Sequence, residues 1–285
     1  MQKRLLFTFS CALFLLSIQI NALAEDINVS QNPELVQAQV ILTVSESKRL
    51  IAKAVAQMPK VQNALKEGLV IIAKGTTNTY VAEEILGRKI EHGTFVSGRV
   101  FPAKGSKKFK SDITPSSEFI LKNGRIAKGI SYADAVKELK PADVVIKGAN
   151  ALDYRNRTAG VMIGASDGGT TGKFMPYLVG RKAHLVIPVG LEKLVAGDVL
   201  KIANKMREPV ESLNRIPSMF LLTGDIVTEI EALRILVNVY VFQAGSGGIG
   251  GAEGAVRLVI RGTKEEVKKA LQIIEDIQGE PPFVE

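Results

Sequence analysis

Four short apolar runs, each delivered directly into a glycine-bearing turn, constrain this chain more than any other feature. Leu69-Val70-Ile71-Ile72-Ala73 passes into Lys74-Gly75-Thr76-Thr77-Asn78-Thr79 and then into a helical stretch from Tyr80 to Leu86. Ala142-Asp143-Val144-Val145-Ile146 passes into Lys147-Gly148-Ala149-Asn150. Gly160-Val161-Met162-Ile163 passes into Gly164 through Gly172, and His184-Leu185-Val186-Ile187-Pro188 into Val189-Gly190. A run apolar at nearly every position has no polar face to offer water, so it predicts a strand buried on both sides, as in a parallel sheet covered by helices. Strand, glycine turn and helix open a βα unit. Residues 44–215 are therefore expected to form an α/β domain with a mostly parallel sheet flanked by helices, its loops gathered at the carboxyl edge, where such sheets bind ligands.

The rest is arranged around this body. Leu50, Ile51, Ala54, Val55 and Met58 recur at helical spacing up to Pro59, and a second short helix runs from Val61 to Lys66. Residues 25–43 read as an arm or an edge strand. Extra strands are expected over Gly93–Val100 and Glu118–Lys128, the latter a hairpin turning at Asn123-Gly124. Residues 216–285 predict a small α+β, ferredoxin-like module: a strand at Met219–Leu222, a helix at Thr228–Leu236, strands at Val237–Phe242 and Ala255–Arg261, and a helix at Thr263–Ile277 opened by a Thr263/Glu266 capping box.

Residues 1–24 combine a basic start (Lys3, Arg4), an apolar middle from Leu5 to about Ile20, and a small-x-small exit at Ala22-Leu23-Ala24, which predicts a secretory signal peptide. Cys11, the single cysteine, falls inside it, so the mature chain is expected to be thiol-free, exported to the periplasm or beyond, and soluble. Loss of Lys3 and Arg4 takes the formal charge from +8 to +6. That excess is scattered apart from Lys104, Lys107, Lys108 and Lys110, and no basic stripe interleaved with aromatics is visible, so no nucleic-acid partner is expected. His92 and His184 are isolated, which leaves no metal cluster and no implied cofactor.

The turn Gly75-Thr76-Thr77-Asn78-Thr79 has the strongest physical case for a ligand. Unpaired amides at a helix start, several hydroxyls and a bend at Gly75 suit a phosphate or carboxylate. The Asp167–Lys173 loop is a second cradle, through Gly168, Gly169, Thr170, Thr171 and Lys173. It is not a nucleotide P-loop, because Asp167 stands where a glycine is required and Phe174 where a Ser or Thr would hold magnesium. Gly245-Ser246-Gly247-Gly248-Ile249-Gly250 matches a dinucleotide spacing but runs on into a strand rather than a helix, so it reads as a hairpin loop. Lys147 and Gly148 should emerge at the sheet edge beside Gly75, with Lys147 placed to hold an oxyanion or carry a proton. Asp153 and Asp167 are weaker acid–base candidates.

Lys74-Gly75-Thr76-Thr77-Asn78-Thr79, followed by Ile146-Lys147-Gly148-Ala149-Asn150-Ala151-Leu152, resembles the superfamily of ribose-5-phosphate isomerase, glucosamine-6-phosphate deaminase and CoA-transferases over residues 68 to 190. The resemblance implies an α/β sheet whose first Gly-Thr turn contacts phosphate or substrate, and an active-site role for Lys147. The isomerases' paired acids are absent from Ala133–Lys140, and Tyr154–Thr158 has no glutamate, so isomerase activity does not carry over. A small phosphorylated or carboxylated ligand at the carboxyl edge is the expected function. The alternatives are an isomerase- or transferase-like enzyme acting on such a ligand and an assembly protein that forms homo-oligomers.

Overall fold

In the computed structural model, residues 34–98, 100, 104 and 117–283 are described, and the expected signal peptide lies outside them. The chain runs β1 (Leu35–Leu42), α1 (Val44–Gln57), α2 (Pro59–Glu67), β2 (Leu69–Ile72) and α3 (Thr76–Leu86). It continues through β3 (Phe119–Lys122), β4 (Arg125–Ile126), α4 (Tyr132–Ala135), β5 (Val144–Ile146), β6 (Ala151–Asp153), β7 (Thr158–Ile163) and α5 (Gly169–Gly180). Then come β8 (His184–Pro188), α6 (Val199–Lys205), β9 (Ser218–Leu222), β10 (Asp225–Val227), α7 (Glu229–Leu236), β11 (Tyr240–Ser246), β12 (Val256–Thr263) and α8 (Lys264–Glu275).

A mixed six-stranded sheet in the order β10-β8-β5-β2-β3-β4 forms the centre of the fold. The pairs β10–β8, β8–β5 and β5–β2 are parallel, whereas β2–β3 and β3–β4 are antiparallel. The apolar runs explain the parallel part: every residue of Leu69–Ile72 and Val144–Ile146 is buried. The β3–β4 hairpin turns at Asn123 (φ 50°) and Gly124 (φ 73°), left-handed at both positions as a tight two-residue hairpin requires. Helix α1 packs between α3 and α7, while α2 covers β2, β3 and β5.

The expected mostly parallel sheet needs three corrections. Gly160–Ile163 belongs to β7, which joins no parallel neighbour but pairs antiparallel with β6 and β9 in a separate three-stranded sheet. Its local sequence resembles the buried runs because α6 and a small second core of Ala151, Val199, Ala203 and Met219 cover it. The described residues of Gly93–Val100 form turns rather than a strand. Finally, the strands after residue 216 share no sheet of their own: β9 joins β7, β10 extends the central sheet, and β11 and β12 make a third sheet with β1. Within residues 25–43, Leu35–Leu42 take the edge-strand alternative, in register with β12 from Leu35↔Thr263 to Leu42↔Val256.

Candidate site at the carboxyl edge of the central sheet

Chain direction alone places the site. Because β2, β5, β8 and β10 are parallel neighbours, their following turns all open on one edge: Ala73–Gly75, Lys147–Asn150, Val189–Leu191 and Thr228–Glu229. Helices α3 and α7 begin there, and α5, which returns the chain to the start of β8, begins on the same side.

The β2 and β5 turns are joined by Asn78. Its Nδ2 donates to Ala73 O (2.6 Å) and Ile146 O (3.2 Å), fastening the ends of both strands, and Ala73 N donates to Ile146 O at 3.0 Å. Gly148 lies against Asn78, since a Cβ added there would stand 3.7 Å from Asn78 Oδ1. Lys147 is half-buried, its Nζ donates to Gly148 O (3.1 Å), and burial lowers its pKa to about 8. The Gly75 turn and the Lys147–Gly148 turn therefore adjoin through Asn78, with the Lys147 ammonium bonded to its own turn at Gly148 O.

Two details of that turn differ from expectation. Gly75 is extended (φ 167°, ψ 158°) and takes no left-handed bend, and it donates to Phe95 O at 3.0 Å. Thr79 is fully buried and its hydroxyl donates to Gly75 O (2.9 Å), so it closes the helix rather than facing a ligand. Thr76 is exposed, Thr77 is buried, and no side chain caps the amides that open α3.

The Asp167–Lys173 loop is tied to the same region through side chains. Lys74 pairs with Glu118 (3.6 Å), and the hydroxyl of the half-buried Tyr132, its pKa raised by burial first and by the Glu118 charge after it, donates to Thr170 O (2.9 Å). Gly168 is left-handed (φ 76°), and a Cβ there would meet Gly172 Cα at 3.0 Å. Lys173 is exposed. The two aspartates are occupied by local structure. Asp153 accepts from Asn156 N (3.0 Å) and Asn156 Nδ2 (2.7 Å), and Asp167 Oδ1 accepts from Gly169 N (2.9 Å).

Sequence reasoning passed over Glu229. It opens α7, is fully buried, and accepts from Leu191 N through Oε2 (2.9 Å). Burial, with Glu192 adding like charge, raises its pKa to about 7 against the hydrogen bonds from Leu191 N and Ser47. Gly190 lies close against this side chain: a Cβ there would stand 3.2 Å from both Glu229 Oε1 and Glu192 Cγ. Helix α1 lays Ser47 and Lys48 nearby, both buried, and burial lowers the pKa of Lys48, which faces Glu192. A detectable signal existed: Ser45 to Arg49 is a polar run that enters an otherwise apolar helix, and all five residues are buried.

Four buried side-chain atoms among the described residues have no hydrogen-bond partner: Asn78 Oδ1, Tyr80 Oη, Thr171 Oγ1 and Glu229 Oε1. Asn78 Oδ1, Thr171 Oγ1 and Glu229 Oε1 lie in the first turns of α3, α5 and α7, the helices that begin at this edge, whereas the Tyr80 ring packs on His92, Phe283 and the Arg49 guanidinium. A groove of about 410 Å³ lies elsewhere, lined by Arg49, Lys53, Glu83, Lys89 and Glu280, but its charges neutralise one another. Arg49 alone is bound by Glu83 (2.5 Å), Glu84 (2.9 Å) and Glu280 (2.9 Å). The described residues hold no cluster suited to a metal ion and no helix long and apolar enough to cross a membrane. The chain matches no protein-family model, no curated protein and no solved structure.

Proposed function

We propose that this protein binds a small anionic molecule, phosphorylated or carboxylated, at the carboxyl edge of its central sheet, and that it does so outside the cytoplasm once its amino-terminal segment is removed. One observation carries the reading: three buried polar atoms without a hydrogen-bond partner, Asn78 Oδ1, Thr171 Oγ1 and Glu229 Oε1, fall in the first turns of the three helices that open at this edge. An unsatisfied buried polar atom costs about 1–3 kcal/mol, so three at the helix starts of one sheet edge point to polar groups that serve something besides the fold. The uncapped amides of α3 and the Lys147 ammonium supply donors for the anionic group. Asn78 Oδ1 and Glu229 Oε1 are acceptors, so they suit hydroxyl or amide protons on the rest of the ligand. The resemblance to the isomerase and CoA-transferase superfamily agrees with this use of the Gly75 turn and Lys147.

A second reading, an enzyme of the isomerase or transferase kind acting on that ligand, is favoured by one pair of groups. Lys147 and Glu229, on turns separated by β8, have pKa values drawn toward neutrality from opposite sides, about 8 and about 7, as proton carriers require. Asp153 and Asp167 are poorer candidates because their turns consume their oxygens.

A thermal-shift panel of inorganic phosphate, phosphosugars, nucleotides, acyl-CoA and dicarboxylates tests the binding claim. A ligand at a hundred times its Kd stabilises by about 2.7 kcal/mol. The effect should disappear in Lys147→Met, and if no anion at millimolar concentration shifts the wild-type transition, the proposal is wrong. Ligand consumption by wild type that is lost in Glu229→Gln, with affinity kept, would select the enzyme reading.

A further inference from the structure

The third sheet, in the order β1-β12-β11, leaves the outer side of β1 without a strand neighbour among the described residues. Edge strands are ordinarily protected by charge, proline, a bulge or brevity, because a row of free N–H and C=O groups will accept any extended chain. Strand β1 has none of these devices. It is eight residues long, carries no charge and no proline, pairs with β12 without a register shift, and leaves Val36 (37%) and Ile41 (41%) exposed.

Its sequence also has a symmetry. Leu35-Val36-Gln37-Ala38-Gln39-Val40-Ile41 reads nearly the same in both directions about Ala38. We propose that β1 pairs antiparallel with β1 of a second copy of this chain about a two-fold axis at Ala38, joining two three-stranded sheets into one of six strands.

That register places like against like. On the solvent face, where Gln37, Gln39 and Ile41 lie, Leu35 stands opposite the partner's Ile41, and Gln37 opposite the partner's Gln39. On the face toward the core, Val36 stands opposite the partner's Val40, and Ala38 opposite the partner's Ala38. Directly opposed side chains sit about 5 Å apart, so the aliphatic pairs can touch, and Gln37, whose Oε1 accepts from Arg261 Nε (3.0 Å) in its own chain, keeps its Nε2 to donate to the partner's Gln39 Oε1. An isologous contact needs a self-complementary patch, which a near-palindromic strand provides. Shifting the register by one residue places Gln opposite Ala and Val opposite Gln, and loses this matching. A groove of about 420 Å³ beside the strand, lined by Val40, Ile41, Leu271 and Ile274 among others, adds apolar surface, including Leu271 (37% exposed), for the second copy to cover.

Size-exclusion chromatography with light scattering on the purified full chain tests the proposal, with circular dichroism to confirm that each variant is folded. The wild type should have twice the 30.7 kDa chain mass at micromolar concentration. Gln37→Lys with Gln39→Lys sets lysine against lysine at both amide pairs and should halve the mass. Gln37→Glu with Gln39→Lys sets opposite charges at the same positions and should keep the dimer. A monomeric wild type up to about 100 µM would overturn the proposal, as would equal masses for the two double variants.

Discussion

Replacing Glu229 with glutamine should stabilise the protein, and by an amount that depends on pH in a defined way. In the unfolded chain this carboxyl titrates near 4.5, whereas burial raises it to about 7 in the fold. Below pH 4.5 both states hold the proton and the group contributes nothing. Between pH 4.5 and 7 the unfolded chain ionises first, so wild-type stability falls as pH rises through that window. Above pH 7 the cost is constant. A difference of about 2.5 pKa units at 1.36 kcal/mol each gives about 3 kcal/mol. Glutamine keeps an oxygen for Leu191 N but never ionises, so Glu229→Gln should match wild type at pH 4 and exceed it by up to about 3 kcal/mol at pH 8. For a chain of this size that is about 6–12 °C in Tm. Urea denaturation at half-unit steps from pH 4 to 8 measures it. A difference that stays flat across the window, or a variant less stable than wild type at pH 8, would refute the reasoning that a carboxyl is held here at a cost to the fold.

Other substitutions probe the neighbouring parts. Asn78→Ala removes the donor to Ala73 O and Ile146 O and should cost about 2–3 kcal/mol; Asn78→Asp, which turns a carboxylate toward those carbonyls, should cost more, and urea midpoints will rank them. Arg49→Met leaves the buried Glu83 and the half-buried Glu280 without their guanidinium and should cost about 3–5 kcal/mol at pH 7. Because the Ile90 amide and, after it, Arg49 hold the Glu83 pKa below its ordinary value, the Arg49-dependent share of the wild-type advantage is present above pH 4.5 and lost as pH falls through the folded pKa, so the two proteins should converge in acid. Lys147→Met should abolish stabilisation by anions, and the lysine-bearing double variant of β1 should be monomeric.

Much of this fold was legible because its strongest signals are local. The runs at Leu69, Val144 and His184 became neighbouring parallel strands, and the Thr263/Glu266 capping box appears with both its hydrogen bonds. The hairpin at Asn123-Gly124 followed from turn chemistry. Sheet membership was not legible: Gly160–Ile163 is as apolar as the others, yet its partners are fixed by α6 and β9, forty to sixty residues further on. The site divided in the same way. Gly75, Asn78, Lys147 and Gly148 sit in short motifs on adjacent strands, so sequence order brought them together. Glu229 sits beside a Thr228/Glu231 capping box, and its burial depends on Ser47 and Leu191, which only the packing of α1 across the edge brings near.

Hydrogen–deuterium exchange, with and without the anion that stabilises the protein most, tests the central claim most directly. With the Lys147 amide, which donates to Val186 O (3.0 Å), as the unchanged control, the account predicts slowed exchange at the amides of Thr76, Thr77 and Asn78 and at Gly148, where a bound anion would accept hydrogen bonds and exclude water. Unchanged exchange at those amides, with protection instead around Arg49, Lys89 and Glu280 or on the third sheet, would contradict it.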